Sequence, residues 1–224
     1  MQSDRSVQSR LKTPKAAAIA GLLFSVLFIT AFSLLRISVP SDPTESGEWL
    51  RTSSVSVGIA LNLIPFAGIA FLWFIGALRD RLAALEDRFF ATVFLGSGLL
   101  FLAVLFTLAA VVGAIILTFA ADPKDLAGTA TFHVARTLAY NLANIYMVKM
   151  AAVFMFSTST VVVYTGIAPR WAAYLGFGLA LLLLFGSSYF SWIFVAFPFW
   201  VLLISSCFLF EELRRAAPDR GTST

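Results

Sequence analysis

No Asp or Glu falls inside any long apolar run of this chain, although it has twelve of them. Paired intramembrane acids, frequent carriers of proton or cation relays, are therefore excluded. A single cysteine, Cys207, excludes an internal disulfide. A single histidine, His133, excludes haem held between two histidines and an ordinary metal cluster, and it reads as a surface group. Zinc-ligand spacings and a phosphate-cradling glycine loop are also missing. Gly96-Ser97-Gly98 invites comparison with intramembrane serine proteases, but Leu95 stands where the nucleophile motif needs glycine. No cofactor is expected, and the chain reads as non-enzymatic.

Charged residues are scarce at 12%, where soluble domains carry about 25%. Hydrophobic residues make up 59% of the chain, and the mean hydropathy is +0.89. They gather in six runs: Ala16–Leu35, Val55–Leu78, Phe90–Ala120, Thr137–Tyr164, Trp171–Gly186 and Phe190–Phe210. A bilayer core takes about 20 apolar residues per helix. Backbone groups in lipid must bond within their own segment. The expected fold class is therefore all-α, a polytopic transmembrane bundle of six spans. Residues 1–15 form a basic N-tail, 16–210 the six-helix transmembrane domain, and 211–224 the C-tail. The stretch from Trp171 to Phe210 is too long for one span, so a turn is expected at Gly186-Ser187-Ser188. The basic N-tail and first run resemble a signal peptide in outline, but the run is long and reads as a retained first span.

Eleven of the sixteen Lys and Arg gather on one side: in the N-tail, between spans two and three, at Arg170, and in the C-tail. Arg36, Arg51, Lys124 and Arg136 fall on the other, and Lys149 lies within span four. The positive-inside rule then places both termini in the cytoplasm. Orientation also accounts for the net charge of +4 and the pI of about 9.5 without a nucleic-acid partner. The connection from Arg36 to Ser54 reads as an extracytoplasmic loop, with Trp49 resting at the interface. Arg79 to Arg88 reads as a short helical turn on the headgroups.

Lys149 is the one charge inside a span. At the centre of a helix it costs about 2.5–3.5 kcal/mol on insertion scales. Two readings stand. It snorkels to the outer interface, or it points into the bundle near Pro65 and Pro198. Those prolines would free the carbonyls of Leu61 and Phe194. On an ideal helix Thr137, Asn141, Asn144, Val148, Ala152, Met155 and Ser159 share one face, with Lys149 on its flank. That face is either interhelical glue or the lining of a polar pathway. The candidate ligand-binding residues are Lys149, Asn141, Asn144, Asn62 and Ser159. Ala109 and Gly113, and Ala172, Gly176 and Ala180, have the small-residue spacing of close helix contacts.

Three stretches carry a resemblance. They are Arg79-Asp80-Arg81 leading to Glu86-Asp87-Arg88-Phe89-Phe90, Thr165-Gly166-Ile167-Ala168-Pro169-Arg170-Trp171, and Phe197-Pro198-Phe199-Trp200. They resemble segments of small uncharacterised bacterial six-helix integral membrane proteins with a Pro-Arg-Trp element. The resemblance implies a six-helix bundle and brings no activity with it.

The leading expectation is an accessory or interaction subunit without catalysis. The alternative is a small permease, or a protein binding lipid or an anionic ligand through the polar face of span four. The expected location is a bacterial plasma membrane, crossed several times. The expected partners are the lipid bilayer and another membrane protein, with no nucleic acid.

Overall fold

The structure is a computed structural model that describes residues 2–42, 44, 47–82, 88–121, 129–166, 168–186 and 192–216. Every regular element among them is helical. They are α1 (Gln2–Ser38), α2 (Trp49–Thr52), α3 (Ser54–Leu82), α4 (Arg88–Ala121), α5 (Ala130–Asn141), a π-helical segment (Leu142–Met147), α6 (Val148–Thr165), α7 (Arg170–Gly186), a 3₁₀ turn (Ile193–Val195) and α8 (Ala196–Ala216). Five stretches are long and apolar enough to cross a membrane: Lys15–Ser38, Ser54–Arg79, Ala91–Ala121, Ala130–Thr165 and Ile193–Phe210. At 17 residues, α7 is shorter.

Helix boundaries move for identifiable reasons. The fourth span begins at Ala130, not Thr137, because Thr129 caps it, its hydroxyl accepting from the Phe132 N–H at 3.2 Å. His133 and Arg136 therefore lie on a helix and not in a connection. The N-tail continues α1 back to Gln2. Pro65 lies inside α3, but Pro198 is the third residue of α8. N–H groups of a first helical turn have no helical acceptor, so Pro198 removes no ladder bond and is not the expected kink. α7 ends at Gly186, while Ser187 and Ser188 of the expected turn lie outside the described residues, as do residues 83–87 of the expected headgroup turn.

α1 packs between α3 and α8, α6 packs against α4 and α7, and α3 meets α4. The core is phenylalanine from five helices. The Phe71 ring lies 4.6 Å from Phe24, 5.2 Å from Phe101, 5.0 Å from Phe154 and 5.6 Å from Phe197. Lipid tails are as apolar as these rings, so helix association here rests on ring packing and close contact. Close contact explains the small residues of α7. Ala172, Gly176 and Ala180 are all buried, and a Cβ on Gly176 would collide with the Ser159 hydroxyl and stand 2.6 Å from Trp200 Nε1. The Trp200 indole N–H donates to the Ala172 carbonyl at 3.2 Å, joining α8 to α7.

A second, smaller cluster of Trp49, Leu50, Val57, Ile115 and Phe132 closes the end of the bundle where α1 stops and α3 begins. We call this the capped end. Trp49 is only 5% exposed, so it is a core residue of the cap and not an interfacial anchor.

Candidate functional site

A cavity lies between the phenylalanine core and the cap. Phe32, Leu108 and Phe194 of the first cluster and Trp49 and Ile115 of the second are among its walls. The centres of water molecules could occupy about 100 Å³ of it.

Two arginines line this largely apolar space. Arg36 stands in the last turn of α1. Its Nη2 donates to Asn144 Oδ1 at 3.2 Å, and its guanidinium carbon is 5.9 Å from the centre of the Phe194 ring. Arg136, on α5, is 7% exposed. Its Nη2 donates to the carbonyls of Pro40 at 3.0 Å and Asp42 at 3.2 Å, and its guanidinium lies 5.4 Å from the Trp49 ring centre. Guanidinium groups tolerate such aromatic faces better than an ammonium does, because they are weakly hydrated and planar. Arg136 thus ties the segment after α1 down over the cavity. The Trp49 indole N–H is fully buried and has no hydrogen-bond partner among the described residues.

No Asp or Glu side chain is on the cavity wall among the described residues. Asp42, whose backbone carbonyl Arg136 holds, has a solvent-exposed side chain. Its carboxylate accepts from the Thr44 hydroxyl at 2.6 Å and the Thr44 N–H at 2.8 Å. These bonds, the hydroxyl first, hold it below the ordinary carboxylate range, with the Arg136 charge a lesser contribution.

The π-helical segment positions Asn144. A π turn bonds i to i+5 and accommodates one more residue than an α turn. Tyr140, Ala143, Asn144 and Met147 border the cavity across this segment, and the Asn144 amide donates to the Tyr140 carbonyl at 2.9 Å. The extra residue also shifts the phase of everything after it. The single polar face expected on an ideal helix therefore does not persist from Thr137 to Ser159.

Of the five candidate ligand-binding residues, Asn144 alone lines this cavity. Asn141 is half-buried and off the wall. Asn62 is exposed and bonds the Gly58 carbonyl of its own helix at 2.9 Å. Ser159 is buried against Gly176. Lys149 is half-buried, with Nζ 3.4 Å from the Leu184 carbonyl. It therefore meets α7, not the expected surroundings of Pro65 and Pro198, and Pro65 itself is exposed. The reason is the length of α7. At 17 residues it spans roughly 26 Å and stops alongside the longer fourth span. The carbonyls of its last turn lack helical donors and carry the negative end of the helix dipole. The lysine's polar contact is a helix end, where a carboxylate might have been sought.

Arg36 and Arg136 were not among the sequence candidates. Their signal was present, since both fall in the group of four that the expected orientation sets apart from the other basic residues. No family model, curated protein or solved structure matches this chain.

Proposed function

We propose that this is a six-span protein of a bacterial plasma membrane that binds an anionic amphiphile in the capped-end cavity, without catalysis. Both termini are cytoplasmic and the capped end is extracytoplasmic. Support for six spans comes from α7, which at 17 residues is at the short limit for crossing. Support for the orientation comes from the charge asymmetry.

One observation carries the binding reading: two arginines from separate helices, Arg36 of α1 and Arg136 of α5, line one largely apolar cavity. Charged side chains within a membrane domain are costly and mark functional sites by default. A carboxylate or phosphate would match the arginine forks, while Phe32, Leu108 and Ile115 would take an apolar body. This observation favours a binding protein over an accessory subunit, for which no particular surface speaks.

Two experiments test the reading. With Cys207 replaced by Ser, single cysteines at Thr44 and Leu213 should label from outside and inside respectively. Labelling of both from one side would reject the topology. Native mass spectrometry of protein in mild detergent, given equal phosphatidylglycerol and phosphatidylcholine, should show retention of the anionic lipid. Equal retention would reject the binding function.

A further inference from the structure

We infer that a groove between α4 and α5 holds an acyl chain of the amphiphile whose head lies in the capped-end cavity; this rests on the anionic-amphiphile reading above. The cavity itself is small. Water centres could occupy about 100 Å³ of it, room for a head and little more. The rest of an apolar body must continue elsewhere. The neighbouring groove has room for water centres of about 560 Å³. Val111, Ala114 and Ile115 of α4 and Ala135 and Leu138 of α5 are among its walls. Ile115 stands on the walls of both spaces. It is 4% exposed, and with Phe132 of the groove wall it belongs to the cluster that closes the capped end.

Cavity and groove use adjoining faces of one helix pair. Along α4, Val112 borders the cavity, while Val111 and Ala114 border the groove. Along α5, Arg136 and Ala139 border the cavity, while Ala135 and Leu138 border the groove. The composition of the groove suits hydrocarbon. Thr118 and Thr131 are the only polar residues on its wall among the described residues. Ala114, Ala130 and Ala135 give it depth, because a methyl side chain leaves room that a larger one would fill. Along α5 the wall runs from Ala130 to Leu138, about 12 Å by helical rise. Both helices belong to stretches long and apolar enough to cross a membrane, so in the six-span reading the groove is reached from lipid. An acyl chain has no hydrogen-bonding group to leave unmatched there. A helix of a second copy would be apolar too, but it would bring no anionic head to the neighbouring arginines. The shared Ile115 wall therefore favours the amphiphile.

The test uses the intact protein in mild detergent and a phosphatidylglycerol with a diazirine midway along one acyl chain. Photocrosslinking of wild type, mapped by peptide mass spectrometry, should place adducts within residues 111–118 and 130–138, and excess dioleoyl phosphatidylglycerol should suppress them. Adducts spread evenly over the helices, or gathered on α7 and α8, would overturn the inference whatever the variants do. Ala114 is exposed on the groove wall, so Ala114→Phe fills the groove without entering the core. It should lower retention of dioleoyl phosphatidylglycerol, read by native mass spectrometry, about tenfold, the scale of two buried methylene groups. Ala103→Phe is the control, exposed on the same helix and off both walls, and should retain the lipid as wild type does. Unchanged retention in Ala114→Phe, with phosphatidylglycerol still above phosphatidylcholine, would overturn the groove and leave the anionic reading standing. A dimer of wild type that Ala114→Phe dissociates would give the groove to a second copy and likewise overturn the inference. Equal retention of the two lipids by wild type would overturn both this inference and the reading beneath it.

Discussion

Arg36 and Asn144 lie 108 residues apart in the chain and meet at one cavity wall, Nη2 of the arginine 3.2 Å from Oδ1 of the asparagine. The contact fixes the end of α1 against the π-helical segment and sets the arginine's charge beside apolar walls. Its chemistry can be inverted by one atom. Asn144→Asp would put a carboxylate next to Arg36 and compete with an anionic ligand for it. The variant should keep or slightly raise its melting temperature, and it should lose preference for anionic lipid by about tenfold or more, the scale of a charged hydrogen bond. A variant that binds anionic lipid as wild type does would show that Arg36 takes no part in binding.

Lys149 gives the opposite expectation. Its ammonium faces the last turn of α7 at the Leu184 carbonyl and is absent from the cavity wall. Lys149→Met should therefore leave anionic-lipid preference unchanged. It should alter stability by no more than about 2 kcal/mol, the upper range for a cation at a helix C-terminus. Thermal melting and the lipid competition, run on the same preparation, check both halves. Loss of lipid preference would return Lys149 to the site.

Two glycines of α7 separate packing from composition. A Cβ at Gly176 would strike Ser159 and Trp200, whereas one at Gly178 meets nothing within 4 Å. Gly176→Val should destabilise by about 1–3 kcal/mol or more through overpacking. Gly178→Val should be close to neutral in detergent melting. Equal effects would mean that α7 does not approach its neighbours through Gly176.

Asp42 supplies a pH prediction outside the membrane. Its carboxyl is held low mainly by the Thr44 hydroxyl and then by the Thr44 N–H. A depressed carboxyl stabilises the fold above its unfolded value of about 3.9, and that stabilisation fades as pH falls through the lower folded value. Thr44→Val removes the first cause and should move the Asp42 titration, followed by carboxyl carbon NMR, upward. An unmoved titration would assign the shift elsewhere.

The helical bundle was legible in the sequence because apolar run length is a direct consequence of bilayer thickness. The small residues of α7 were legible for a similar reason, since close approach has few solutions. The cavity was not. Arg36 and Asn144 come together only through tertiary packing, and neighbour-based periodicity within one helix cannot register a contact across 108 residues. The π turn at Leu142–Met147 has no composition signal, yet it resets the helical phase that placed Asn141, Asn144 and Ser159 on one line. Lys149 misled for a different reason. Its contact is neither an acid nor a proline-freed carbonyl but the end of a short neighbouring helix, which exposes carbonyls wherever it stops. The contacts of Phe71 with rings of four other helices were equally hidden, because pairing between spans is not written in any one of them.

The central claim is that Arg36 and its cavity, and not positive charge in general, select an anion. Arg51 is the fitting control: it is exposed, lies in α2 and is not on the cavity wall. Phosphatidylglycerol against phosphatidylcholine, competed on wild type, Arg36→Met and Arg51→Met, tests the claim directly. The account predicts that Arg36→Met loses about tenfold or more of the anionic preference, while Arg51→Met keeps it. Equal preference in all three proteins, or an equal loss in both variants, would contradict it.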